Sequence, residues 1–373
     1  MKIVDVKAYA LSHTPKRPLA NATDWNKKRS VVLVKITSDE GITGWGEAYG
    51  APQGIAKIVE THFKDRLVGT DPFRIEYHWH AAQVKKGIPA GALGGVDVAL
   101  WDLKARALNV PLYELLGGKI GDTFAPYASG FPYKEDSPES LEQFDLDIDE
   151  VINKGFKAVK IKIGFGKAVD MKRISRIRER FGDDIELMVD ANQGYNLRTC
   201  LELLPFLEEC KVRWLEEPLP WHGFSGYQEL RKRSRIPIAS GEAEQSMQGF
   251  IEAIKNGVVD IIQPDVPLCG GLTAAKRIAS LAYDFQVEYH PHIFQSVFAL
   301  PASLHLLASL PDTKSWQVLP DLMLLEWDVN SNPIAQKVLK NPIKIANGVV
   351  KVPEGIGLGV EVNEEAFEEF LIK

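Results

Sequence analysis

The spacing of apolar and polar positions changes character near residue 126 of this chain. Before that point, short alternating runs predict strands over 2–11 and 30–36. The turn "SDEG" at 38–41 then leads into a strand over 42–48 that pairs back as a hairpin. Between the first two strands lies "SHTPKRPLANATDWNKKR", polar and carrying two prolines. It reads as a long exposed loop, and its core, about residues 13–29, is a candidate lid. The stretch "VDVALWDLKARAL" at 96–108 predicts a helix, with Val96, Leu100, Leu103 and Leu108 near one stripe and Pro111 just beyond. Residues 1–125 therefore read as an α+β unit.

From residue 126 onward, short apolar strands alternate with helical segments. The strands are "PYASG", "AVKIKIG", "ELMVDAN", "RWLEEP", "PIASGE", "DIIQPDV", "VEYHPHI" and "LLEWDV". Helical patterns at 168–181, 198–209 and 271–285 fall between them. Eight such units over about 200 residues predict a closed parallel barrel over 126–328, not an open doubly wound sheet. No glycine-rich dinucleotide fingerprint opens the series. The remaining 329–373, rich in turn signals from residue 341, is expected to pack back on the N-terminal unit.

Composition narrows the class. The chain has 373 residues, 45% hydrophobic and 25% charged, as expected of a globular protein with a large core. A formal charge of −6 disfavours a nucleic-acid partner but leaves an anionic small-molecule substrate open. Three cysteines, Cys200, Cys210 and Cys269, show no metal-knuckle or redox spacing and read as buried free thiols. With no signal peptide and no apolar window near the ~20 residues of a membrane span, a cytoplasmic location and no membrane partner are expected.

Reactive groups of a parallel barrel collect where its strands end. Here the second strand ends with Lys160 and Lys162, the third with Asp190 and Asn192, and the fourth with Glu216 and Glu217. The fifth ends with Glu242, the sixth with Asp265, the seventh with His290 and His292, and the eighth carries Glu326. Exposed strand ends are often polar, and surface acids remain the plainer reading of any one of these. Alternation, however, puts Val159, Ile161 and Ile163 on the helix-facing side of their strand and turns both lysines into the barrel mouth. Asp190, Glu216 and Glu242 follow one another at intervals of 26 residues, one repeat each, and so converge. Converging carboxylates repel and raise each other's pKa, and a hard divalent cation removes that cost. Oxygen-only ligands favour Mg²⁺, one per subunit. Asp265 and His292, on neighbouring strands, can meet, which would fix the imidazole tautomer for acid–base work. His290 shares their strand face, so spacing does not choose between the two histidines.

Taken in order, these segments resemble the enolase superfamily and, within it, the mandelate racemase subgroup. The resemblance covers nearly the whole chain. It includes "GVDVALWDLKARALNVPLYELLGG" at 95–118, the "KIK" pair, "DAN" at 190–192, "WLEEP" at 214–218, "SGE" at 240–242, "QPD" at 263–265 and "HPHIF" at 290–294. It implies a (β/α)7β TIM-like barrel with an N-terminal α+β capping domain completed by the C-terminal tail. It implies Mg²⁺ on Asp190, Glu216 and Glu242, with Lys162 and His292 as the two acid–base groups and Asp265 orienting His292. Lys160 and Glu326 would engage the substrate carboxylate, and Asn192 is a further candidate contact. The segment "SWQVLPDL" at 315–322 lengthens the approach to Glu326 relative to the family. A homo-oligomer is expected from the same resemblance. The absence of lysine in "PDVPLCGG" at 264–271 separates the chain from muconate-cycloisomerase-like members.

The implied chemistry removes a proton α to a carboxylate through an enediolate, whose charge a metal and cationic donors stabilise. Lys160 and the metal are together expected to lower the pKa of Lys162 by like charge, freeing it as a base. Dehydration of a sugar acid to a 2-keto-3-deoxy acid is the favoured outcome, since the lid carries Lys16, Arg17, Asn21, Thr23, Asp24, Asn26, Lys27 and Lys28, suited to a polyhydroxylated anion. A racemase or epimerase of a 2-hydroxy acid is the alternative. A non-catalytic protein binding carboxylate and Mg²⁺ is the third reading.

Overall fold

The computed structural model describes residues 1–84, 87–131, 137–294, 296–311 and 323–372. The N-terminal unit is built on an antiparallel sheet of β1 (Ile3–His13), β4 (Arg29–Ser38) and β5 (Thr43–Ala48), in the order β1-β4-β5. The predicted strands are all present, β1 and β4 running further than the apolar run alone indicates. The loop between β1 and β4 is not uniformly exposed. Leu19–Ala20 (β2) and Trp25–Asn26 (β3) pair as a minute hairpin, and both Leu19 and Ala20 are buried.

The helix predicted over 96–108 begins earlier and spans Ala90–Ala107. Its start, "AGALGG", reads poorly as helix because glycine is costly there. Tertiary packing reverses the sign. A Cβ on Gly94 would lie 2.0 Å from the carbonyl oxygen of Pro267, in the loop after the sixth barrel strand. On the adjoining strand, a Cβ on Gly46 would lie 2.1 Å from the carbonyl oxygen of Gly95. The helix is thus wedged between the capping sheet and the barrel, and most of its residues are buried on all sides.

Eight parallel strands follow: β6 (Thr123–Gly130), β7 (Ala158–Lys162), β8 (Glu186–Asp190), β9 (Val212–Glu216), β10 (Ile238–Ser240), β11 (Ile261–Ile262), β12 (Glu288–Tyr289) and β13 (Leu324–Asp328). They are the eight apolar runs read from the sequence. The hydrogen-bonded path runs β12-β11-β10-β9-β8-β7-β6-β13, and β14 (Val350–Lys351) adds antiparallel to β6. Helices Lys167–Phe181, Leu197–Glu209 and Leu272–Asp284 match the three predicted. Pro138–Asn153, Phe224–Arg233, Met247–Lys255 and Ala299–Ala308 complete the alternation. The barrel interior holds Tyr127, Ala158, Met188, Trp214, Ala239, Ile261 and Leu324 as one apolar layer. Polar residues stand above it.

The tail returns to the N-terminal unit. Ile372 N–H donates to Ala10 O at 2.9 Å, Ser12 N–H donates to Phe370 O at 2.8 Å, and the Phe367 ring packs edge-on against Tyr9 at 4.9 Å. Cys200 and Cys269 are buried and Cys210 half-buried, all as free thiols. Among the described residues no helix is long and apolar enough to cross a membrane. The insertion noted at 315–322 lies outside the described residues.

Two glycine substitutions should move stability in opposite directions. Gly94→Ala forces Cβ into backbone and is expected to cost roughly 1–3 kcal/mol. Gly54→Ala, in the exposed helix Pro52–Ile58 with its nearest foreign atom 4.0 Å away, should gain roughly 0.4–1 kcal/mol. Urea midpoints of the two variants measure both.

Candidate active site

Parallel register brings the polar ends together. Lys162 pairs with Asp190 across β7 and β8, and Asp190 pairs with Glu216 across β8 and β9. Glu216 lies beside Ala239 of β10, three residues before Glu242. Oxygens of Asp190, Glu216 and Glu242 all lie within 4.8 Å of one another, a spacing that one ion could bridge. The backbone around them is strained. Asn192, Gln193 and Glu217 take φ of 39°, 63° and 40°, values uncommon for residues with a side chain.

Lys160 is the floor of the site. Its side chain is fully buried, and its ammonium bonds Glu216 Oε1 and sits 2.8 Å from Glu326 Oε1. Glu216 Oε2 accepts from Trp214 Nε1 at 3.0 Å and Gln263 Nε2 at 2.8 Å. Burial pushes the Glu216 carboxyl up to about 7 against the pull of Lys160, with Asp190, Glu326 and Glu242 adding to the push. Burial also opposes the charge of Glu326, but Lys160 and His292 more than offset it and hold that carboxyl down at about 2. The other oxygen of Glu326 accepts Ile293 N–H at 2.9 Å, joining β13 to the segment after β12.

Lys162 and His292 stand at the two ends of the carboxylate row. Lys162 Nζ is 2.5 Å from Asp190 Oδ2, and His292 Nε2 is 3.5 Å from Glu242 Oε2. Their strands are five steps apart along the sheet path in one direction, which places them on facing sides of the mouth. Phe294 walls the space between them. Its ring lies 5.9 Å from Lys162 Nζ and 6.3 Å from the His292 ring. Asp265 and His292 form an isolated parallel bridge, and His292 Nδ1 is 2.9 Å from Asp265 Oδ2. Burial works against the imidazolium, yet Glu242, Glu326 and Asp265 together raise it to about 10.

The geometry separates the two histidines that spacing could not. His290 stacks on Trp214 with ring centroids 5.6 Å apart, and its Nε2 is 3.2 Å from Glu288. It packs within the barrel, while His292 faces the carboxylates.

Burial and the charge of Lys160 disfavour the Lys162 ammonium, in the expected sense, but among the protein's own groups Asp190, with Glu242 and Glu216, outweighs them and leaves Lys162 shifted upward. Several polar residues of the lid segment bond within it or to the barrel side. Asn21 Oδ1 accepts from Thr23 N at 2.9 Å and Asp24 N at 2.7 Å, and Asn26 Nδ2 donates to Asp24 Oδ2 at 2.6 Å. Arg17 pairs with Asp147 at 3.0 Å. Much of the polar lid therefore builds its own hairpin.

The residues fit a divalent cation. Glu242 Oε2 and Asn192 Oδ1 are buried with no hydrogen-bond partner among the described residues. They lie at a site whose donors are all oxygen. Sequence reading missed Gln263 as a partner of Glu216, although it stands inside the quoted "QPD". It gave no role to Phe294, inside the quoted "HPHIF", or to the buried Glu217, whose Oε1 accepts from Gln193 Nε2 at 3.1 Å. Glu217 was visible only as the second acid where the fourth strand ends.

Comparison with known proteins matches residues 4–117 to the mandelate racemase/muconate lactonizing enzyme N-terminal domain and 145–366 to the enolase C-terminal domain-like family. The chain is 35% identical to a D-galactarolactone cycloisomerase of Agrobacterium fabrum, over 99% of both chains. It is 31% identical to an arabinonate dehydratase of Saccharolobus solfataricus, over 92% of this chain and 91% of that one. Among solved structures, the 3,6-anhydro-D-galactonate cycloisomerase of Zobellia galactanivorans superposes with a TM-score of 0.89 at 34% identity, over the whole of both chains. An L-talarate/galactarate dehydratase variant liganded with Mg and L-glucarate superposes with a TM-score of 0.86 at 26% identity, covering 100% of this chain and 92% of that one.

Lys160→Met leaves Glu216 and Glu326 buried without their ammonium. It is expected to destabilise the fold by roughly 3–5 kcal/mol, read as a fall in the urea midpoint at neutral pH.

Proposed function

Given that the chain belongs to the enolase superfamily, in its mandelate racemase and muconate lactonizing enzyme family, we propose that it takes the α-proton from a sugar acid and expels the oxygen on the β-carbon. With a free hydroxyl there, the product is water and a 2-keto-3-deoxy acid. The observation that carries this reading is the row of three carboxylates with an amine at one end and an imidazole at the other.

Asp190, Glu216 and Glu242 would hold one Mg²⁺, which when bound supplies positive charge for the substrate carboxylate oxygens. Lys162 and His292 then act on opposite faces of the substrate. One receives the α-proton at its nitrogen, and the other, already protonated, gives its proton to the departing oxygen. Asp265 holds His292 by Nδ1 and leaves Nε2 toward the site. Lys160 and Glu326 form the floor beneath the substrate carboxylate, and the Asn192 amide oxygen is a candidate acceptor for a substrate hydroxyl. Phe294 keeps water from the space between amine and imidazole. The two acid–base groups serve elimination and proton return alike, so the leaving oxygen decides the outcome.

A second reading has its own support. Two of the relatives aligned over essentially the entire length of both chains are named cycloisomerases. A β-oxygen locked in a ring is expelled by the same step but stays attached, so that the ring opens and no water is lost. The difference lies in the substrate, not in the acid–base pair.

Incubating the protein with Mg²⁺ in D₂O against arabinonate, gluconate, galactonate, galactarate and galactarolactone separates the readings. A keto acid from an open-chain acid supports dehydration, and one from the lactone alone supports ring opening. α-Deuterium exchange without C–O cleavage would move the protein to the racemase and epimerase class. Metal binding with neither turnover nor exchange would leave a non-catalytic carboxylate-binding protein. Lys162→Ala and His292→Asn should each lower kcat by about 10²–10⁴-fold. Removing Mg²⁺ with EDTA should abolish turnover reversibly.

A further inference from the structure

Two carboxylates far from the metal triad in sequence are buried at the seam between the N-terminal unit and the barrel. Neither has a role in the chemistry proposed above. Glu47, on β5, sends Oε2 into the start of the barrel helix Ala299–Ala308. There it accepts the backbone N–H groups of Val297 at 2.7 Å, Phe298 at 2.7 Å and Ala299 at 3.0 Å, with Ser296 Oγ at 3.5 Å. Asp97, in the helix Ala90–Ala107, does the same for the helix Leu272–Asp284. It accepts Thr273 N–H at 2.9 Å through Oδ2 and the Thr273 hydroxyl at 2.6 Å through Oδ1.

Neither barrel helix is capped by the residue at its capping position, and among the described residues the one local side-chain acceptor is Ser296 Oγ, which takes Leu300 N–H at 2.6 Å. Their capping positions are Gly271 and Phe298, and neither makes a capping side-chain bond. The first N–H groups of a helix have no partner within it, and buried ones must find an acceptor elsewhere. Here the acceptor comes from the other structural unit. At the first of these helices the fit is close, because a Cβ on Gly271 would lie 2.4 Å from Asp97 Oδ2. Trp101 Nε1 donates to the Thr273 hydroxyl at 2.9 Å and closes the same cluster.

The two helices are not arbitrary. One follows the loop that begins at Asp265, and the other follows the segment that begins at His292. The first loop is short and tightly bonded. Asp265 Oδ1 accepts Leu268 N–H at 3.0 Å, and Cys269 N–H donates to Asp265 O at 2.8 Å. Moving the start of the helix Leu272–Asp284 would therefore move Asp265, and Phe298 and Ala299, which Glu47 holds, follow His292 by six and seven residues. The electrostatics agree with this proximity. Burial raises the Glu47 carboxyl to about 7 against its three backbone donors, and the charge of Asp265 adds to the rise.

We infer that Glu47 and Asp97 are positioning residues, which cap across the seam the two barrel helices behind Asp265 and His292 and so hold that pair in register. The inference rests on the acid–base roles proposed above for that pair. Docking of the N-terminal unit then does more than cover the mouth. It completes the barrel loops on which one of the two proton-transfer groups stands, whereas Lys162, at the end of β7, does not depend on these caps.

The experiment compares Glu47→Gln and Asp97→Asn with the parent protein, all loaded with Mg²⁺. Proton NMR of histidine-labelled protein follows the imidazole Nδ1–H that His292 shares with Asp265, which needs no substrate. Steady-state kinetics use the panel acid that the parent turns over fastest. Each variant should shift or broaden the His292 resonance and lower kcat at least tenfold, with KM changed less than threefold. Glu47→Ala should regain several-fold in kcat with formate, which can refill the vacated acceptor site. Should Glu47→Gln or Asp97→Asn fail to fold, Thr273→Val, which removes one of the two donors to Asp97, should give the same pattern more weakly. An unmoved His292 resonance with kcat within twofold of the parent overturns the inference, as does a rise in KM alone. If the parent itself turns over nothing, the proposed function fails, while the resonance still decides the positioning role.

Discussion

Carboxylates gather inside a barrel only if cations gather with them. Asp190, Glu216, Glu242 and Glu326 come from β8, β9, the end of β10 and β13, and without compensation their charges would drive one another toward protonation. Lys160 is the fixed part of the answer, fully buried against Glu216 and Glu326. Lys162 and His292 are the adjustable part, and a metal would be the third. The upward shift of both Lys162 and His292 is the same constraint seen from the other side, since each is held charged by the acids beside it.

This balance explains why the two lysines of one strand behave differently. Lys160 lies one turn of the pleat deeper, with Tyr127 beneath it, and it is paired with two carboxylates, Glu216 and Glu326. Lys162 reaches the mouth, beside Asp190 and the Phe294 ring. Pairing by alternation is a property of strands. The division of labour comes from depth, because burial and partner number change over a single step of two residues.

The two structural units are joined by buried polar contacts as well as by apolar packing. Trp79 Nε1 donates to Gly270 O at 2.8 Å, Asp97 holds Thr273, and Glu47 holds 297–299. Arg29, at the base of the lid, pairs with Asp328 at the end of β13 and stacks over Phe294 at 5.3 Å. These contacts all fall on the face of the barrel where the reactive groups lie. The seam and the site are one construction, so a change in how the units dock is also a change in the site.

Much of this was legible in the chain. Eight apolar runs at repeat spacing determined the strands, and alternation determined that Lys160 and Lys162 share a face. The interval of 26 residues determined that Asp190, Glu216 and Glu242 would meet. These are periodic properties, and period is local information that sequence carries directly. What the sequence could not carry was depth and company. Spacing alone could not choose His292 over His290, and the reason lies in Trp214 beneath one and Glu242 beside the other. The direction of the Lys162 shift required weighing Asp190 against Lys160. The helix starting at Ala90 ran against glycine's propensity because its glycines meet the capping strand and, at Gly94, barrel backbone, and the role of Glu47 appears only once its three N–H donors come into place from about 250 residues away. Each of these depends on which atoms approach across long separations in the chain, and only the packed tertiary structure decides that.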